Sequence, residues 1–152
     1  MGRIGRFFSL SRRQRGLWLA ALFLLFGIRI LREFLSFQTL RRFLVASPPP
    51  LRRTPSVSPV QPSTIGWAVG AASRYVPGAN CLVQAMAVHL LLRREGLPSV
   101  FRIGVSRDET GCFEAHAWVE SGDEIIVGGA GLERYTPLGA LPSCNLRRSL
   151  KR

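Results

Sequence analysis

The stretch Asn80–Gly96 constrains this 152-residue chain more than any other, because it carries a complete helix signal with a cysteine at its start. Asn80 is a good N-cap, since its side chain can accept a hydrogen bond from a first-turn amide. Gly96 followed by Pro98 is a C-terminal stop. The residues between are apolar on nearly every face, which is typical of a helix in the middle of a domain. The sequence therefore predicts a buried helix that begins near Cys81.

Cys81 lies in the first turn of this predicted helix, where unpaired amides and the helix dipole favour a negative charge. The thiolate is the nucleophilic form of cysteine, so this position suits a catalytic thiol. The alternative is a small residue that only packs at the helix start, since unpaired cysteines are among the most buried residues. The helix alone leaves both interpretations open.

Charge is distributed unevenly along the chain. Residues 1–53 hold eleven Arg and one acid (+10), residues 54–146 hold six Arg and eight acids (−2), and residues 147–152 add +4. A nearly neutral body argues against a nucleic-acid-binding core, and we expect no nucleic-acid partner. The three irregularly spaced cysteines, Cys81, Cys112 and Cys144, do not form a disulfide framework and indicate a reducing, cytoplasmic setting.

Composition divides the chain into four parts. Residues 1–46 are a basic, apolar helical extension, and residues 47–64, with six of the ten prolines, are a linker. Residues 65–146 are the folded body, and residues 147–152 are a basic tail. Residues 12–45 are predicted to form one or two helices, which either pack on the body or a partner or make a peripheral membrane contact, for which an Arg-and-aromatic composition is suited.

The part of the body that follows the helix has the alternating apolar pattern of short strands. Residues 100–105 and 113–120 alternate apolar and other side chains, and Ser121–Asp123 is a hairpin turn before a strand at 124–127. A final loop at 132–146 has room for one more short strand. Ahead of the cysteine helix, Ser63 or Thr64 is predicted to cap a short helix at 65–75. These elements predict an α+β fold in which a buried Cys-bearing helix packs on a small antiparallel sheet.

His116 is the candidate base for Cys81, because a thiol needs a neighbouring base and a neutral imidazole accepts a proton near neutral pH. His89 lies two helical turns from Cys81, about 12 Å along the axis, and is expected to be a packed helix residue. Gln84, one turn after Cys81, and Trp118, on the same strand face as His116, are candidates for lining the cleft. The amide of Cys81 is a candidate donor to an oxyanion.

A metal site built from Cys112, His116 and Cys144 is the remaining chemical alternative. It lacks the paired C-x-x-C spacing of structural zinc sites. We therefore expect neither a metal nor a cofactor, and the chemistry indicated is that of a thiol and an imidazole.

Four segments of the body resemble the leader peptidase of lasso-peptide biosynthesis, a family of the transglutaminase-like, papain-like cysteine-protease superfamily: C-L-V-Q-A-M-A-V-H-L-L-L-R-R-E-G-L-P-S, I-G-V, F-E-A-H-A-W-V-E and I-I-V-G-G. The resemblance implies a papain/transglutaminase-like peptidase domain at 65–146, with Cys81 as nucleophile and His116 as base. The implied activity is endoproteolytic removal of the leader from a ribosomally made lasso precursor, which frees the core N-terminus for macrocyclisation by a separate ATP-dependent cyclase.

The third catalytic residue of that family has no counterpart in this sequence. The family's orienting aspartate lies on the strand after the histidine, and the corresponding position here is close to Gly128. A three-residue turn at Ser121–Asp123 would place Gly128 opposite His116, where glycine has no side chain to offer. We therefore expect a Cys–His dyad in which a backbone carbonyl, a water or a loop carboxylate orients His116.

Two rival functions use the same residues. A transglutaminase-like amidase or acyltransferase would use the Cys81–His116 pair to make a new amide, and a non-catalytic scaffold would only escort the precursor. The resemblance also implies three partners, namely the precursor peptide, a separate leader-binding protein and the lasso cyclase. Because the body offers little surface for reading a long leader, we expect the leader-binding protein to present the substrate.

Overall fold

Three helices and one four-stranded antiparallel sheet make up the computed structural model, which describes residues 11–34, 60–107 and 112–142. The helices are α1 (Arg12–Phe34), α2 (Pro62–Ser73) and α3 (Cys81–Arg94). The strands are β1 (Val100–Arg107), β2 (Phe113–Ser121), β3 (Glu124–Val127) and β4 (Thr136–Pro142), in the sheet order β3-β2-β1-β4. A 3-10 turn at Leu132–Arg134 precedes β4. The predicted α+β class and the small antiparallel sheet are confirmed.

Local signals begin and end α3 where the sequence predicts. Oδ1 of Asn80 accepts a hydrogen bond from the amide of Val83 at 3.2 Å. At the other end Gly96 adopts a φ of +75°, and the amide of Leu97 donates to the carbonyl of Leu92 at 2.9 Å. This type of helix end requires one residue in the left-handed conformation, which glycine adopts without strain.

Helix α3 lies at the centre of the core, and α1, α2 and the sheet all pack against it. Its buried side chains cover most of its circumference: Val83, Ala85, Met86, Ala87, Val88, His89, Leu91, Leu92 and Arg93. The sheet contributes Phe101, Ala117 and Val119 to the same core. Because side chains alternate along a strand, His116 and Trp118 lie on the opposite, outer face of β2.

Helix α1 is part of this core. Its inward residues Leu17, Ala21, Leu25 and Ile28 belong to the same buried cluster as residues of α2 and α3. Packing on the body is one of the interpretations of residues 12–45, and the structure supports it for 12–34; residues 35–45 lie outside the described ranges. No helix within those ranges combines the length and the hydropathy needed to cross a bilayer.

The predicted start of α2 is wrong. The helix begins at Pro62 with Gln61 as its N-cap and no side-chain cap, rather than at residue 65 behind Ser63 or Thr64. Proline suits the first helical position because its φ is already helical and its missing amide would have no partner there.

The predicted three-residue turn between β2 and β3 is also wrong. Ser121 is the last paired residue of β2, the turn is Gly122–Asp123, and a bulge between Val119 and Glu120 shifts the register of the two strands. Gly128 therefore lies beside the carbonyl of Ala117 rather than opposite His116.

Candidate active site

Cys81 is the first residue of α3, and its thiol is free and half-buried. The Asn80 side chain satisfies the amide of Val83, whereas the helix itself supplies no acceptor for the amides of Cys81 and Leu82. The start of α3 thus places a thiol beside two amides that have no acceptor within the helix. Such donors can stabilise the oxyanion that forms when a thiolate attacks a carbonyl.

Gln84, a candidate for lining the cleft, makes its own contact with the segment that leads into α3. Its Nε2 donates to the carbonyl of Ala79 at 2.8 Å. This hydrogen bond connects the first turn of the helix to the loop just before Asn80. Gln84 therefore supports the position of Cys81, and its amide nitrogen is occupied.

His116 is half-buried, and a backbone carbonyl holds its ring. Nε2 lies 2.8 Å from the carbonyl oxygen of Gly128. Since a carbonyl only accepts, Nε2 carries the proton, and in the neutral ring Nδ1 carries the lone pair. A backbone carbonyl, a water and a loop carboxylate were the expected partners of His116, and the described residues contain the backbone carbonyl. The atom of the ring that can accept a proton is then Nδ1.

Gly128 contacts His116 through its backbone carbonyl, and its own position leaves no space for a side chain. Its φ is +79°, and a Cβ at this position would lie 2.6 Å from the carbonyl oxygen of Ala117 and 2.9 Å from Cβ of Trp118. An aspartate at residue 128 would therefore have to displace β2. Within the described ranges His116 has no carboxylate partner, so an uncharged carbonyl occupies the place of an orienting acid.

Tyr135 is a residue of this site that the sequence analysis missed. Its ring stacks on His116, with 5.0 Å between ring centroids and 26° between planes. It reaches His116 across β1 because Gly104 lies between them; a Cβ on Gly104 would come within 2.9 Å of both Tyr135 Cβ and Trp118 Cζ3. A glycine inside a strand can indicate such a close approach, but nothing local identifies the approaching residue.

Trp118 is 4% exposed and lies beside His116, with 6.4 Å between ring centroids. Its Nε1 donates to Oε1 of Glu120 at 2.9 Å, and Arg102 donates to Oε2 of the same carboxylate at 2.7 Å. Burial raises the pKa of Glu120, but the hydrogen bonds from Trp118 and Arg102 and the charge of Arg102 outweigh it, so the pKa is lowered. The ionised carboxylate fixes the indole that forms one wall next to His116.

Cys81 and His116 lie on adjoining elements, since α3 packs on β2. His116 is on the outer face of β2, whereas its neighbour Ala117 faces the core. The described residues contain no hydrogen bond between Sγ of Cys81 and either histidine. Catalytic hydrogen bonds are often long or poorly aligned without substrate, so this geometry alone does not exclude a Cys81–His116 pair.

His89 is a packed core residue, as its position in the helix indicates. It is 1% exposed, its Nδ1 lies 3.0 Å from the hydroxyl of Ser99, and its ring packs edge-on against Phe101. Burial, followed by the positive charge of Arg93, lowers its pKa from 6.5 to about 4. The ring is therefore neutral at neutral pH and enclosed by the core.

The free energy of unfolding is expected to decrease as the pH falls from about 6.5 to about 4, the interval between the pKa values of His89 in the unfolded and folded chain. The unfolded state binds more protons in this interval, so acid favours unfolding, by up to about 3 kcal/mol for this shift. Urea unfolding followed across the interval measures the loss. The His89→Asn variant, which cannot titrate there, should lose much less; equal losses in both proteins would contradict the assignment.

The described residues contain no group of three or more side chains that could hold a metal ion. Cys112 is exposed just before β2, and Cys144 lies outside the described ranges.

Comparison with models of known families gives a match to one described as the transglutaminase-like superfamily, over residues 22–140. This range covers more than half of the chain, begins within α1 and includes Cys81, His116 and Gly128. Neither the curated proteins nor the solved structures gave a match.

Proposed function

This chain belongs to the transglutaminase-like superfamily, and we propose that it is a cysteine endopeptidase that removes the leader from a ribosomally made lasso precursor peptide. The superfamily supports cysteine-based chemistry in general. The lasso precursor as substrate rests on the resemblance of the segments around Cys81 and His116 to the leader peptidases of that pathway.

The observation that supports catalysis most is the hydrogen bond from His116 Nε2 to the carbonyl of Gly128. It fixes the neutral tautomer with its lone pair on Nδ1, the form that a general base requires. The stacked ring of Tyr135 restricts the tilt of the imidazole. His116 is therefore prepared for proton transfer by a backbone carbonyl, without a carboxylate partner among the described residues.

In the proposed reaction, Nδ1 of His116 takes the thiol proton of Cys81, and the thiolate attacks the carbonyl carbon of the scissile peptide bond. The oxyanion that forms faces the amides at the start of α3. The imidazolium then gives its proton to the leaving amine, which becomes the N-terminus of the core peptide. Water, activated by the same imidazole, hydrolyses the thioester and releases the leader as a carboxylate.

The backbone carbonyl of Gly128 carries only a partial charge, so it stabilises the imidazolium less than an aspartate would. We infer a modest intrinsic rate and a reaction that depends on good positioning of the substrate. A separate leader-binding protein would supply that positioning, because tethering raises the effective substrate concentration to about millimolar. The lasso cyclase would then use the freed amine, and all three proteins would meet in the cytoplasm.

Mass spectrometry of a reaction that contains this chain, the precursor and the leader-binding protein tests the proposal. We expect two fragments whose masses add up to the precursor plus one water, with a free carboxylate on the leader. Cleavage should be much slower when the leader-binding protein is left out. A leader fragment joined to an amine would instead favour an acyltransferase, and an intact precursor would favour the scaffold.

A further inference from the structure

Helix α1 is apolar on two opposite faces. Its inward face is buried in the core, while six large apolar side chains of the helix are between 42% and 81% exposed: Leu19, Phe23, Phe26, Ile30, Leu31 and Phe34. Five of them, all except Leu31, follow one another at helical spacing and form a stripe about 22 Å long. We call these five the outward stripe. Folded soluble domains seldom leave so large a patch of aromatic and aliphatic side chains in water.

The charges around the outward stripe are mostly positive. Arg12 and Arg15 precede Leu19 by seven and four residues and so continue the same helix face. At the other end of α1 the only acid of the helix, Glu33, is paired with Arg29. Residues 1–53 as a whole carry a net charge of +10. The stripe is therefore an apolar strip in a strongly basic setting.

We propose that the outward stripe docks on the surface of a membrane leaflet that contains anionic phospholipids. A leaflet provides an apolar layer for the phenylalanine side chains and negatively charged headgroups along the full length of the helix. The arginines can extend to the headgroups while their aliphatic parts lie on the apolar layer. A protein partner would need a groove of the same length with carboxylates placed for several arginines.

Docking would place the axis of α1 parallel to the membrane surface. It would also hold the whole domain against that surface, because the inward face of α1 is part of the core. The C-terminal half of α1 also lies against the loop that leads to Cys81, where Arg29 Nε would be 2.7 Å from a Cβ placed on Gly78. The candidate active site would therefore stay close to the leaflet. This surface is separate from Cys81 and His116, so its test and that of the proposed peptidase activity can fail independently.

Co-sedimentation of the full chain with vesicles tests the proposal. We expect binding to vesicles of phosphatidylglycerol mixed with phosphatidylcholine, much weaker binding to pure phosphatidylcholine, and weakening by salt. The double variant Phe23→Gln/Phe34→Gln removes the two most exposed side chains of the stripe, at 75% and 81% exposure. Its partitioning onto anionic vesicles should fall by about tenfold or more, given the usual free energy of burying a phenylalanine.

The matched control is Phe113→Gln/Leu138→Gln, which removes two apolar side chains of the sheet that are 69% and 66% exposed. It should change partitioning by less than about twofold, since single exposed apolar residues carry little. Thermal melts by circular dichroism should be similar for both variants, because all four side chains lie in solvent. Absent or lipid-independent binding, or an equal loss in the control, would overturn the proposal. So would a wild-type dimer that the stripe variant converts to a monomer without any vesicle binding, since the stripe would then be an interface between two copies.

Discussion

Replacing Cys81 by alanine or serine is expected to abolish precursor processing, with a loss of about 10³-fold or more. Alanine removes the nucleophile, and a serine hydroxyl beside an imidazole held by a backbone carbonyl is a far weaker nucleophile than a thiolate. Fragment release from the precursor, followed by mass spectrometry with the leader-binding protein present, measures the effect. The fold should survive, because Asn80 caps α3 through the amide of Val83 and not through the Cys81 side chain.

Cys112→Ser and Cys144→Ser are the matched controls and should keep most of the activity. Iodoacetamide should alkylate Cys81 fastest, although Cys112 is the more exposed of the two thiols in the described ranges, because in the proposed pair His116 takes the proton of the attacking thiol. Processing that survives in the Cys81 variants at more than a few per cent would exclude the proposed nucleophile. A scaffold would keep its function in all four variants.

Replacing His116 by alanine is expected to reduce processing by about 10²- to 10⁴-fold, the usual contribution of a general acid–base residue. In a double variant with Cys81→Ala the two losses should not add, because thiol and imidazole act as one unit. His116→Ala should also slow alkylation of Cys81 and change the pH dependence of that rate in the presence of the precursor. A residue with a purely structural role would not change that pH profile.

The control for this prediction is His89→Asn, which should affect stability and leave most of the processing rate unchanged. His89 is enclosed in the core with Ser99 and Phe101, and no substrate atom can reach it there. The opposite pattern, with His89 essential and His116 dispensable, would show that the catalytic pair lies elsewhere. Equal losses in both variants, together with lowered melting temperatures, would indicate that neither histidine has a specific catalytic role.

The elements with strong local signals were predictable from the sequence. The boundaries of α3 follow from Asn80 and Gly96, because a cap and a left-handed glycine act within one helical turn. Strands β1 and β2 follow from alternation, which is also a property of neighbouring residues, whereas for β4 the sequence indicates only a loop with room for a short strand. The same local patterns place Cys81 at a helix start and His116 on the same strand face as Trp118. The start of α2 was not predictable in this way, because both Pro62 as a first helical residue and Ser63 as an N-cap are locally acceptable.

The register of the β2–β3 hairpin could not be predicted, because it depends on contacts between strands. A two-residue turn and a bulge together set the position of Gly128, and only their combination brings its carbonyl to His116. Tyr135 reaches His116 from beyond β1, through the space left by Gly104. No local pattern specifies either partner, so the surroundings of the imidazole are a tertiary property.

The sequence by itself determined the α+β class, the buried cysteine helix, the strand that carries His116 and the basic, apolar character of α1. Only the tertiary structure decided which face of α1 joins the core, since apolar residues occur on both faces and periodicity cannot rank them. Leu17, Ala21, Leu25 and Ile28 are buried because they complement the surfaces of α2 and α3. The phenylalanines of the outward stripe are just as hydrophobic, but they remain exposed because the described helices and strands pack only against the other face of α1.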